Sequence, residues 1–240
     1  MARWDPSGAR HAGLSSAGLP IVRDVQSRCL LPATGSVAHE PHRLYHASKR
    51  LLDIALSLAF LILAIPVLAV ACAAILLSTR QNPILVQERA GLLGRGFAML
   101  KLRTMRGGAE DPLEQPLLPD EVFTAKPPDD PRVTPIGRIL RRTSIDELPQ
   151  LLNVLAGQMS LVGPRPALPA EVARYPHSWR RRLAVKPGLT GLWQVSGRSD
   201  VSPRRRTAMD RLYVRRRSLA FDCLVLLRTV AATVSMRGAW

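Results

Sequence analysis

Acidic residues are scarce in this chain. Its 240 residues hold 18 Asp and Glu against 34 Lys and Arg, a formal net charge of +16. That imbalance implies an anionic partner: nucleic acid, an anionic membrane or phosphorylated substrates. Aromatic residues are equally sparse, at 5%, which gives little support to base stacking as the main mode of binding. The three cysteines, Cys29, Cys72 and Cys223, are far apart and lack any ligand spacing. They read as reduced, packed thiols in a cytosolic setting rather than a disulfide framework or a zinc site. The first 30 residues carry no apolar core ahead of a cleavage site, so no signal peptide is expected, and Asp5 and Asp24 argue against a transit peptide.

Charge is missing altogether from Ile54 to Leu77. As a straight helix that stretch is roughly 36 Å long, enough for a hydrocarbon core of about 30 Å. A core helix of a soluble domain would show a polar face, and this stretch shows almost none, so residues 47–80 read as a membrane helix. Pro66 divides it into halves of roughly 17–18 Å, each too short to span alone. Arg43, Lys49 and Arg50 precede the helix, and Arg80, Arg89, Arg95, Lys101 and Arg103 follow it. Positive charge marks the cytoplasmic side of a membrane helix. With both flanks basic, the expected topology is re-entrant, dipping in at one face and returning; a Pro-kinked single span is the alternative. Residues 1–46, rich in Gly, Pro, Ser, His and Arg, read as a disordered basic arm.

Residues 81–240 read as a soluble domain. PILVQERAGLLGRGFAMLKLRTM predicts two short strands about a Gly-rich turn, with Phe97, Met99, Lys101 and Arg103 on one face. Residues 107–131 are an acidic, Pro-rich loop. Residues 135–157 read as helical with a disturbance at Pro149, and a helix-like piece follows GPRP as far as Trp179. Pro187-Gly188, Gly191 and Gly197 mark turns. Met209 to Met236 reads as one or two basic amphipathic helices, core or interfacial.

Two adjacent carboxylates, Asp146 and Glu147, lie just after Arg138, Arg141 and Arg142. On four residues alone, Ser144-Ile-Asp-Glu147 favours a capping box. The wider setting supports a second reading. Neighbours on a helix point about 100° apart, which suits two different jobs. One carboxylate would attack phosphorus while the other holds a divalent cation. Arg141 and Arg165 would neutralise the transferring group.

The segments KRLLD (49–53), the Pro-broken apolar helix, QERAG, KLRTM (101–105), DPRVTPIGRILRRTSIDELPQLLNVLAGQMSLVGPRP (130–166) and KPGLTGLWQVSGR (186–198) occur in an order that resembles the bacterial sugar transferases of the monotopic phosphoglycosyl transferase family, in its compact form. The resemblance covers residues 47 to 235. It implies a membrane-associated α/β protein at the cytoplasmic face of the bacterial inner membrane, with a re-entrant helix, a small mixed catalytic domain and amphipathic interfacial helices. The implied reaction moves a sugar 1-phosphate from a UDP-sugar to polyprenyl (undecaprenyl) phosphate, releases UMP and begins an exopolysaccharide, capsule or O-antigen-type glycan.

Residue by residue, the resemblance makes Asp146 the nucleophile and Glu147 its partner in binding Mg²⁺. Lys101, Arg141 and Arg165 become phosphate-binding residues and Pro66 the break of the membrane helix; Arg103, on the strand face of Lys101, joins the phosphate-binding set, and Gln194 and Arg198 are candidate donor-loop residues. An anionic membrane is an expected partner and nucleic acid is not; a homo-oligomer is compatible. Ile65 stands where small members have Ser, and Asn82-Pro83 where Gly-Pro is usual. The rival reading is a membrane-tethered basic module for nucleic acid or other anions. It explains the charge and the anchor but not the carboxylate pair or the GPRP and PGLTG turns.

Overall fold

The computed structural model describes residues 42–106, 130–197 and 201–235. Most of the arm and most of the 107–131 loop lie outside the described residues. Helix α1 (His42–Thr79) carries Pro66 in its interior. It begins before the expected boundary at 47, and Pro66 does not end it. The proline lies on the exposed side, where the backbone bond it removes costs no tertiary contact. The helix stops where Arg80 turns left-handed at φ 55°.

One stripe of α1 is covered. Asp53, Ser57, Ala64, Ala71 and Ile75 are buried. They recur at intervals of four and seven, the period of one helix face. Leu56 and Leu61 pack on the main core of Met99, Leu151, Val154, Met159, Leu161, Val162, Leu192, Tyr213 and Val225. Farther along, Ala71 and Ile75 join Leu102 and Leu140. Full burial of a side chain such as Ile75 contributes about 1.5–3 kcal/mol. The remaining surface of α1 exposes Leu58, Phe60, Leu63, Val70 and Leu77, among others.

Strands β1 (Ile84–Ala90) and β2 (Gly96–Leu102) form an antiparallel hairpin in which Leu85 faces Lys101 and Ala90 faces Gly96. This agrees with the two strands expected from alternation. A 3₁₀ turn, Leu92–Gly94, joins them, with Leu93 and Gly94 at positive φ.

The expected helical stretch 135–157 is divided into three. Helix α2 (Pro135–Thr143) is capped by Thr134, whose hydroxyl accepts from Gly137 N at 2.9 Å. A 3₁₀ turn spans Ile145–Glu147, and α3 (Gln150–Leu155) follows. Asn153 of α3 clips the helix to β2. Its Nδ2 donates to Ala98 O at 2.7 Å and its Oδ1 accepts from Leu100 N at 3.0 Å.

Strand β3 (Ser160–Val162) pairs in parallel with β4 (Gly188–Thr190), and α4 (Pro169–Ala173) and a 3₁₀ segment, His177–Ala184, lie between them in sequence. The last described elements are α5 (Pro203–Arg216) and α6 (Leu219–Ser235); where one or two helices were expected from Met209, two are present and the first begins six residues earlier. Among the described residues the domain is thus mixed, with two small two-stranded sheets.

Candidate active site

The disturbance in the 135–157 helix falls at Ser144, five residues before the proline expected to cause it. Ser144 adopts φ 59°, ψ 17°, and its N–H closes α2 by donating to Leu140 O and Arg141 O. A left-handed serine cannot continue the helix. The capping box expected from Ser144 and Glu147 is not formed, because Ser144 is the C-terminal cap of α2 and makes no side-chain cap bond to the turn. Asp146 and Glu147 sit instead in the 3₁₀ turn, half-buried.

Glu147 faces across the fold. Its Oε1 accepts from Arg165 Nη1 at 2.9 Å. That arginine belongs to GPRP, directly after β3. Glu147 is the main cause that raises the Arg165 guanidinium above its ordinary range, with a smaller contribution from Asp146. The turn therefore joins two carboxylates and an arginine that lies 18 residues away in sequence.

The other predicted residues surround this centre with different attachments. Arg141 Nε donates to Thr104 Oγ1 at 3.0 Å. Thr104 is itself held against α2, since Thr134 N donates to its carbonyl at 3.0 Å. Gly137 permits that approach, because a Cβ there would collide with the Thr104 carbonyl. Lys101 lies on β2, and Arg103 lies one residue past it with Nε donating to Asn82 O at 2.8 Å. Leu102 between them belongs to the cluster that holds Ile145, so the end of β2 abuts the carboxylate turn. Gln194 Nε2 donates to Leu189 O at 3.2 Å, beside β4. Arg198 lies outside the described residues. Pro66 lies on the exposed face of α1.

Sequence reasoning missed several supports. Arg89 of β1 donates to Gln87 Oε1 at 2.6 Å and to Pro166 O at 3.3 Å. Burial first, and then the neighbouring Arg165, pull its pKa down to about 10. Arg182, only 5% exposed, donates to Tyr175 Oη at 2.6 Å and to Arg165 O at 3.0 Å, and it meets Asp210 at 2.7 Å. Glu171 caps α4 by accepting from Leu168 N at 2.9 Å. Their sequence signal is weak: an arginine in an arginine-rich chain does not announce that it is buried.

Oxygen donors on adjacent residues suit a hard cation such as Mg²⁺, which takes a few carboxylates and completes its shell with substrate phosphate. Among the described residues there is no cluster of three His, Cys, Asp or Glu.

Residues 44–236 match the model of the bacterial sugar transferases. The chain is 42% identical, over 99% of its own length, to a UDP-galactose-lipid carrier transferase of Erwinia amylovora, of which it spans 53%. It is 39% identical, over 80% of its length, to the exopolysaccharide production protein ExoY of Sinorhizobium fredii, of which it covers 88%. It is 42% identical, again over 80%, to a UDP-glucose:undecaprenyl-phosphate glucose-1-phosphate transferase of Caulobacter vibrioides, covering 72% of that protein. The chain thus spans about half of the first of these relatives and most of the other two. With the family model covering 44–236 and this likeness, the chain belongs to the bacterial sugar transferase family.

Proposed function

We propose that this protein transfers a sugar 1-phosphate from a UDP-sugar to polyprenyl phosphate and releases UMP, at the cytoplasmic face of a bacterial inner membrane. The observation that carries the reading is the 3₁₀ turn presenting Asp146 and Glu147, with Arg165 2.9 Å from the second carboxylate. The relatives named for UDP-galactose, UDP-glucose and undecaprenyl phosphate support the donor and acceptor classes. Those named for exopolysaccharide production support a place at the start of glycan assembly.

In this reading a carboxylate oxygen of Asp146 attacks the β-phosphorus of the UDP-sugar. The bond from that phosphorus to the bridging oxygen breaks, and UMP leaves with the electron pair. A phosphate oxygen of the lipid then attacks the same phosphorus and releases Asp146, which gives the lipid diphosphate-sugar. Arg165 neutralises charge on the transferring group, with Lys101, Arg103 and Arg141 lining the approach from the β2 side and Gln194 and Arg198 serving the donor. Glu147, beside Asp146, would hold Mg²⁺, which when bound offsets the negative charge of the diphosphate. The two-step route predicts that enzyme, Mg²⁺ and the right UDP-sugar release up to about one equivalent of UMP without lipid, and that the protein gains one phosphosugar mass. Asp146→Asn should give neither. UMP that appears only once lipid is added, with no adduct at Asp146, points to a one-step displacement instead.

The anchor is read from its covered stripe. Asp53 and Ser57 near one end and Ala71 and Ile75 near the other are all buried. The clusters that Leu56, Leu61, Ala71 and Ile75 join belong to the soluble domain. A helix bound to that domain along such a length keeps both ends on the domain's side and offers its apolar remainder to the bilayer. The exposed Leu224, Leu227 and Val230 of α6 extend this interfacial surface. Cysteines introduced singly at Leu44 and Arg142, in a background free of other cysteines, should both resist an impermeant thiol reagent in intact cells and both react after permeabilisation. Labelling of residue 44 alone in intact cells means a full span.

A further inference from the structure

Each residue of β3 is tied to the membrane helix, Ser160 and Leu161 directly and Val162 through Tyr213 and Asp222. Asp53 Oδ1 accepts from Ser160 Oγ at 3.1 Å and from Leu161 N at 3.0 Å. The hydroxyl of Tyr213 on α5 lies 2.9 Å from Val162 O and 2.7 Å from Asp222 Oδ1. The other oxygen of Asp222 accepts from Lys49 Nζ at 2.9 Å and from Tyr45 Oη at 3.2 Å, both on α1. Asp53, Ser160, Tyr213 and Asp222 are at most 4% exposed.

No slack separates this strand from Arg165. Gly163 N donates to Thr190 O at 2.9 Å, and Pro164 O accepts from Gly188 N at 2.9 Å. A Cβ on Gly163 would lie 2.6 Å from Lys186 O, so backbone is packed against backbone there. Arg165 O is then held by Arg182 Nη2 at 3.0 Å. A shift of β3 against α1 has nowhere to dissipate before it reaches Arg165.

We propose that Asp53 is a positioning residue for the transfer reaction: its seat on β3 makes the place of Arg165 against Glu147 depend on the membrane helix. The proposal rests on the transferase reading above. It differs from simple anchoring, in which Asp53 contributes only to stability.

The test is a double-mutant cycle on the full-length protein in lipid nanodiscs. UMP release is followed with undecaprenyl phosphate and the donor that gives the burst described above. Asp53→Asn keeps an oxygen able to accept both bonds and should retain most of the wild-type kcat. Asp53→Ala loses both acceptors and should lower kcat by about 10²-fold, the scale of a misplaced catalytic group. In an Arg165→Ala background the same Asp53→Ala change should cost little more, because the group it positions is gone. Losses that multiply in the double variant, with Arg165→Ala itself impaired, overturn the proposal and leave the transferase reading standing. Wild-type turnover by Arg165→Ala overturns the role of Arg165 and this proposal with it. If Asp53→Ala gives no cooperative melt, Tyr213→Phe replaces it in the cycle. That variant removes the hydroxyl that links Val162 O to Asp222, the other tie between β3 and α1, and multiplying losses again overturn the proposal.

Discussion

Arg165 meets Glu147 at 2.9 Å with 33% and 23% of the two side chains still exposed, whereas Arg182 meets Asp210 at 2.7 Å with 5% and 1%. The two pairs are joined by the bond from Arg182 to the Arg165 carbonyl. Water reaches the first pair, so separating it costs little and a phosphate can take Glu147's place on the guanidinium. Water does not reach the second, so separating it strands a charge in a dry interior. In the proposed reaction the first pair exchanges partners, while the second stays closed and holds the first in place.

Breaking each pair at its arginine should therefore give opposite patterns. Arg182→Ala should destabilise the fold by about 3–5 kcal/mol, because Asp210 is left buried alone. The double change Arg182→Met with Asp210→Leu should recover most of that loss. Arg165→Ala should leave the melting temperature near that of the wild type and lower kcat by on the order of 10²–10³-fold, as expected for one charge-stabilising group. Thermal melts and UMP release on the same preparations separate the two. If Arg165→Ala melts early, or Arg182→Ala melts like the wild type, the division of labour is wrong.

A smaller effect is expected from pH. Burial pushes the Asp210 carboxyl up to about 6, against the opposing pull of Arg182. The contact is an ion pair whose oxygens find no well-aligned hydrogen bond among the described residues. With its pKa raised on folding, Asp210 holds its proton more tightly in the folded chain. Its contribution to stability is full below about 4, the ordinary range of an aspartate, and is lost as pH rises through about 6. The melting temperature of the wild type relative to Asp210→Asn should fall between about pH 4 and about pH 7. A difference that stays flat across that range means the carboxyl is not raised.

What could be read from the sequence was local. Alternation marked the β1–β2 hairpin, and the uncharged run marked α1. The broken helix at 135–157 was also legible, although its break was assigned to Pro149 rather than Ser144. A serine entering the left-handed region is a choice made by the packing of α2, not by its own propensity, so the capping box was a fair expectation from four residues and still wrong. The Asp53–Ser160 bond joins positions 107 residues apart, and the Arg182–Asp210 pair is equally silent locally. Contacts of that kind are set by the fold as a whole. The carboxylate pair and GPRP stood out because several motifs occurred together in order, and the structure brings Glu147 and Arg165 into contact.

The covered stripe of α1 has a practical consequence for anyone trimming this protein. A fragment begun after Thr79 would not be a simpler soluble enzyme. It would uncover the apolar residues on which Leu56, Leu61, Ala71 and Ile75 rest, and leave Ser160 and Leu161 without their acceptor. Nor can α1 be lengthened freely. One inserted residue turns everything beyond it by about 100°, and seven bring the same face nearly back into phase. Chimeras that exchange this helix for another hydrophobic segment must therefore preserve its angular register, not merely its hydrophobicity.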